Sequence, residues 1–137
     1  MKKNIMKIAY AFLLSSFIGC QGFVKDEKIT GRYHLVSIDI PEDLTLCYKL
    51  ESGDYKGVLE ETIFAVGFND NYIIAKQHLS NNRAITNYYI VPIYKENTLS
   101  PEKGVIGALT LEQFNEKRKE LNIPDSVEFT KVIEDLK

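Results

Sequence analysis

The sequence predicts an α+β fold: an antiparallel β-meander sheet of about five strands with one C-terminal helix packed on it. Three observations lead there. Several apolar runs alternate with period two, as half-buried strands do. Asn, Asp and Ser clusters separate the central runs, as hairpin turns do. One segment near the C-terminus opens with a helix-capping signature.

The elements follow in order. Residues Arg32 to Ile40 alternate, with His34, Val36, Ile38 and Ile40 on one face and Tyr33, Leu35 and Ser37 on the other. Pro41-Glu42-Asp43 ends that strand. Leu44 to Leu50 forms a second strand. Ser52-Gly53-Asp54 and Gly57 turn the next stretch into a loop. The centre of the fold lies in residues 62–94. Thr62 to Phe68, Tyr72 to His78 and Ile85 to Tyr94 are strands, joined at Asn69-Asp70-Asn71 and Ser80-Asn81-Asn82. Pro92 donates no ladder bond, so its strand lies at an edge or ends near that point. Lys95 to Lys103 is a polar loop.

Thr110 with Gln113 three residues on fits a capping box. Glu112 stands in the first turn and Lys117, Arg118 and Lys119 near the end, the order a helix dipole favours. Leu111, Phe114, Arg118 and Leu121 share one side, and the helix stops at Asn122, before Pro124. The tail from Val127 to Leu136 fits strand and helix spacing equally well; Val, Phe and Thr tip it to strand through about Val132.

The N-terminus has the three parts of an export signal. Lys2, Lys3 and Lys7 are basic, Ile8 to Ile18 is apolar and uncharged, and small Gly19 precedes Cys20. The apolar run is about half of the ~20 residues a spanning helix needs. This segment resembles the bacterial lipoprotein signal class: Ile18, Gly19 and Cys20 match its box, and Phe17 stands where Leu is usual. The resemblance implies cleavage before Cys20, a thioether-linked diacylglycerol on Cys20 and a third acyl chain on its amine. The expected organisation is a signal peptide over 1–19, a lipidated tether over 20–28 and one β-rich globular domain over 29–137. The expected partner is the membrane, through the lipid on Cys20, and the expected location is the bacterial cell envelope, at the outer membrane or cell surface if the cell is Gram-negative. Lys25-Asp26-Glu27 is similar to a pattern that goes with surface display in some lipoproteins, and fits a solvated linker as well.

Loss of residues 1–19 from the 137 leaves 118, enough for one domain with one core. Three of the 17 basic residues lie in the signal, so 14 face 19 acids, a net charge of −5. Such a chain lacks the basic face of a nucleic-acid binder, and no nucleic-acid partner is expected. With Cys20 lipidated, Cys47 has no disulfide partner. It reads as a small buried thiol, since a reactive one needs a nearby base and no local Cys/His pattern occurs.

Four features occur together: the Cys20 box; Gly31-Arg32-Tyr33-His34-Leu35; Val66-Gly67-Phe68-Asn69-Asp70-Asn71-Tyr72-Ile73-Ile74-Ala75-Lys76-Gln77; and Ile106-Gly107-Ala108-Leu109-Thr110 leading into Phe114 and Lys117-Arg118-Lys119. They resemble a family of small bacterial lipoproteins of unknown function. Ala108 stands where that family's pre-helix turn carries proline. The resemblance implies one compact domain and no particular activity.

No phosphate-binding loop, serine-hydrolase elbow, metalloprotease, paired-cysteine or calcium-loop motif occurs. No catalytic residue, cofactor or metal is therefore expected. His34 and His78 could meet across a sheet beside a carboxylate, but zinc usually takes three or four protein ligands and no ligand-spaced cluster is present. Asp39, Glu42 and Asp43 flank one turn and Glu60 and Glu61 precede the strand at 62; paired carboxylates across a cleft run glycoside hydrolysis, whereas turn acids are ordinarily solvated. Tyr72, Tyr88, Tyr89 and Tyr94 either form an exposed binding patch or pack beneath the helix. The leading expectation is a non-catalytic binding or accessory module of the envelope with a protein or glycan partner. A small glycan- or peptidoglycan-acting hydrolase and an inhibitor or immunity lipoprotein are the alternatives.

Overall fold

A computed structural model describes residues 24–137. The segment read as a signal peptide and Cys20 lie outside the described residues. The described residues are α+β and mostly β, with two antiparallel sheets and one longer helix among them. The first sheet is a four-stranded meander of β1 (Lys25–Thr30), β2 (Tyr33–Ser37), β3 (Thr45–Lys49) and β4 (Tyr55–Leu59). The second has five strands: β5 (Ile63–Phe68), β6 (Tyr72–Gln77), β7 (Asn87–Pro92), β8 (Ile106–Leu109) and β9 (Lys131–Val132), in the spatial order β8-β7-β6-β5-β9. Helix α1 (Leu111–Glu120) packs on this second sheet, as expected.

The layers follow from period-two burial. Ile73, Ala75 and Val91 point from the second sheet into a core shared with Tyr33, Leu35, Leu46, Tyr48 and Leu59 of the first. Ile74 and Ile90 point the other way, into a smaller core with Phe114, Ile123 and Val127. The second sheet is thus buried on both faces, which explains its nearly continuous apolar runs. The helix begins as its sequence demands: the Thr110 hydroxyl accepts from the Gln113 amide (3.2 Å) and the Gln113 side chain accepts from the Thr110 amide (3.0 Å). Phe114 is its buried anchor, whereas Leu111 is exposed. The Arg118 guanidinium lies over Phe114 and donates to the Pro124 and Val127 carbonyls, tying down the chain after the helix.

The structure corrects the sequence reading at several places. Residues 25–28, read as tether, form most of β1, because the alternation opposite Val36 and His34 gives them a backbone partner. Residues 55–59, read as loop, form edge strand β4; Gly57 is accommodated beside a register shift opposite Cys47. With these two extra partners, the first strands form their own sheet instead of extending the central meander. Ile106–Leu109, which holds the pre-helix position Ala108 and carries no predicted strand, is β8. The first strand ends at Ser37, so Ile38 and Ile40 are exposed loop residues. The tail pairs with β5 at only two residues, and Glu134–Leu136 is a 3-10 turn that buries Leu136. Pro92 does end its strand, opposite Tyr72.

Gly67 marks the tightest approach in the second sheet. A Cβ there would collide with the Glu128 carbonyl, a backbone atom that cannot swing away. Gly67→Ala should therefore cost more than the ~1 kcal/mol expected of Thr110→Ala at the helix cap. Urea unfolding of both variants beside the parent chain measures the difference, and equal midpoints would refute the packing argument.

Candidate functional site

Two regions gather side chains with chemical character. One is the face of the first sheet turned away from the shared core. Antiparallel register sets its membership: Lys28 lies opposite His34 and His34 opposite Cys47, with Asp26 and Lys49 two residues along on the same face. Tyr55, opposite Lys49 on β4, completes the row. The Asp26 carboxylate joins the edge strands. One oxygen pairs with His34 Nδ1 at 2.8 Å and the other accepts from the Tyr55 hydroxyl at 2.5 Å. The His34 and Tyr55 rings meet edge to face at 5.3 Å, and Lys49 Nζ lies 5.9 Å from the Tyr55 ring centre. Asp26, Lys28 and Lys49 are exposed, while His34 and Tyr55 are half-buried.

The electrostatics follow from these contacts. Burial acts to raise the Asp26 carboxyl, but the hydrogen bonds with Tyr55 and His34 and the charges of His34 and Lys49 outweigh it and hold the group below the ordinary aspartate value. The hydrogen bond to Asp26 pushes the Tyr55 phenol up to about 12, with burial and the Asp26 charge adding to it. Burial raises the Cys47 thiol against the opposing Thr45 hydrogen bond, and the Asp26 charge adds to the rise. A raised thiol is a poor nucleophile at neutral pH. Cys47 therefore behaves as the buried thiol expected from sequence, although His34 stands on the neighbouring strand directly opposite it.

The second region is a cleft of about 470 Å³ between the β2–β3 loop and the β6–β7 loop, lined by Ile40, Glu42, Asp43, Glu61, Thr62, Ser80 and Asn81. Its frame is a ladder of buried polar groups. Thr62 exchanges backbone hydrogen bonds with His78 (2.9 and 2.8 Å), and its hydroxyl donates to the Glu42 carbonyl (2.6 Å). The Ser80 amide donates to the Glu61 carbonyl (3.1 Å). Nearby, Gln77 donates to the Glu60 carbonyl and accepts from Asn87 and Tyr89. Three of the acids flagged in the sequence, Glu42, Asp43 and Glu61, thus meet around one cleft. Asp39 and Glu60 are exposed and do not line it.

The two histidines stay apart, each committed to its own sheet. His78 stacks on Phe64 (4.0 Å, 10° between planes) and its Nδ1–H donates to the Ile85 carbonyl (3.0 Å). Among the described residues, no group of three or more His, Cys, Asp or Glu is placed to hold a metal ion. The tyrosines divide as a two-sided sheet requires. Tyr88 packs with Phe114 and Phe129 under Lys76, and Tyr89 turns to the shared core and donates to Gln77. Tyr72 packs with Tyr88 on the helix side and Tyr94 with Tyr89 against the shared core, so the four do not form one exposed patch. The feature that sequence reasoning misses is Asp26: Lys25-Asp26-Glu27-Lys28 shows no apolar alternation to mark a strand, so its register with His34 emerges only in the fold.

The family described as "Protein of unknown function (DUF3997)" matches residues 30–133. The chain belongs to the DUF3997 family. No curated protein and no solved structure matches it. The matched span runs from the last residue of β1 to just past β9, so it takes in β2 to β9 and the helix, while residues 25–29 of β1 precede it. Asp26, the centre of the polar network, lies just before that span.

The network makes a signed prediction for pH. Tyr55 is raised in the fold, so its contribution is complete below the ordinary tyrosine value of 10 and is lost as pH rises toward about 12. Asp26 is lowered, so its contribution is present at neutral pH and is lost as pH falls below the ordinary aspartate value. Tyr55→Phe should cost about 1 kcal/mol at neutral pH and should abolish the alkaline loss assigned to Tyr55. Urea midpoints across pH for both chains test it; a variant that retains the full alkaline loss would remove Tyr55 as its source.

Proposed function

We propose that this DUF3997 protein is a lipid-anchored, non-catalytic binding or accessory module of the bacterial cell envelope, and that the outward face of the first sheet contacts its partner. The observation that carries the partner face is the Asp26-His34-Tyr55 network. It holds a carboxylate, an imidazole and a phenol in fixed positions on rigid strands, with exposed Lys28 and Lys49 beside them. Preordered polar and aromatic groups of this kind lose little freedom on binding. A protein surface or a glycan offers the matching hydrogen-bond groups. The anchor is supported by the cysteine box at Cys20, where two acyl chains give stable membrane attachment.

Intact mass of protein extracted from its native membrane tests the anchor. The expected mass is residues 20–137 plus two or three acyl chains; a lipid-free mass would overturn it. A photo-crosslinker at Lys49 in the full chain tests the face. It should capture an envelope protein or glycan, and Asp26→Asn should reduce the yield several-fold by freeing Tyr55 and His34. No capture under conditions where the chain is folded and lipidated would count decisively against the binding role.

The hydrolase alternative is favoured by one observation, the meeting of Glu42, Asp43 and Glu61 around the cleft. It requires turnover of a glycan or peptidoglycan that Glu61→Gln or Asp43→Asn abolishes while the fold persists. A broad substrate screen without turnover would dismiss it.

A further inference from the structure

The end of the fold where β1 begins carries exposed aliphatic side chains. Lys25 pairs with Ser37, so the chain enters the domain beside the loop that holds Ile38 and Ile40, which are 62% and 50% exposed; Val24 beside them is 53% exposed. The β6–β7 loop, whose Ser80 and Asn81 line the other side of the cleft, carries Leu79 and Ile85, 46% and 55% exposed. The two loops are braced together through Thr62, His78 and the Glu42 carbonyl, so they form one surface.

From this placement we infer that the strand-entry end, with Val24, Ile38, Ile40, Leu79 and Ile85, rests on the lipid bilayer that holds the anchor. The inference depends on the lipidation of Cys20 proposed above. Chain length then makes the argument. Five peptide steps separate Cys20 from Lys25, a reach of about 18 Å even when fully extended. That tether is no longer than β1 itself, about 20 Å for its six residues, so unless it is drawn out straight it keeps the end where β1 starts nearest the bilayer. Five exposed aliphatic groups on the two braced loops and at the chain entry are suited to the headgroup–acyl boundary, where apolar side chains bury favourably. The acids of this end, Asp39, Glu42, Asp43 and Glu61, remain at headgroup level with Lys25 and Arg83. They make zwitterionic lipid a better surface than anionic lipid. The arrangement also leaves the Asp26-His34-Tyr55 face lateral to the membrane and open to a partner.

The chain contains no tryptophan, so single-tryptophan reporters are unambiguous. Full-length lipidated protein is placed in phosphatidylcholine vesicles brominated near the headgroup end of the acyl chains. The reporters are Ile38→Trp and Ile85→Trp at the inferred contact and Phe68→Trp, 45% exposed, at the far end of β5. Ile38→Trp and Ile85→Trp should lose about half or more of their emission relative to unbrominated vesicles, because interfacial side chains penetrate about 5–10 Å. Phe68→Trp should be nearly unaffected. Circular dichroism confirms that each variant is folded, and Ile40→Trp replaces any that is not. A lipidated mass with no quenching at 38 and 85, or with stronger quenching at 68, overturns the orientation and leaves the anchor standing. A lipid-free mass overturns both. Crosslinked pairs of this chain joined through residue 38, with that reporter unquenched, would assign the surface to self-association and overturn the inference.

Discussion

Tyr33 is the bolt of the molecule. It is fully buried, stands on β2 of the first sheet, and reaches across the shared core to the end of β7. Its hydroxyl donates to the Pro92 carbonyl (3.2 Å) and accepts from the Tyr94 amide (3.0 Å). Burial pushes its phenol up, so it stays protonated at any ordinary pH. Tyr48, in edge-to-face contact 5.1 Å away, repeats the device by donating to the Glu96 carbonyl. Two large rings fill the space between the sheets, and their hydroxyls satisfy backbone groups where β7 ends. This pair ties the first sheet to the end of β7 across the shared core.

The two chemical regions inherit their geometry from that frame in different ways. The outward face of the first sheet is ordered by strand register, so its network is a property of rigid elements. The cleft is ordered by loops that meet through buried backbone groups around Thr62 and His78. The first is suited to recognition by fixed groups. The second joins aliphatic and acidic side chains at the end where the chain enters the domain.

Much of this was legible in the residues. The helix cap at Thr110, the β5–β6–β7 meander and the stop at Pro92 were local signals, and local signals survive folding. The division into two sheets was not legible, because it depends on β1 and β4. Their charged or glycine-containing sequences pair for want of a better place to put their backbone groups, and not from strong strand preference. The Asp26-His34-Tyr55 network failed to show for the same reason: it joins three strands, two of which read as tether and loop. The cleft was half visible. The acids were noticed in sequence, but only the brace between Thr62 and Glu42 brings three of them together.

The edges of the two sheets have a consequence for life at high density. Each free edge is poor ground for a neighbouring strand. β1 presents Lys25, Asp26, Glu27 and Lys28 in succession, and Lys131 of the tail pairs with Glu27 from the second sheet. β4 is interrupted by a register shift, β8 is four residues long with a shift of its own, and β9 has two residues. Exposed regular edges template aggregation, and charge, irregularity and brevity suppress it. Many copies could therefore crowd side by side without zippering into fibres.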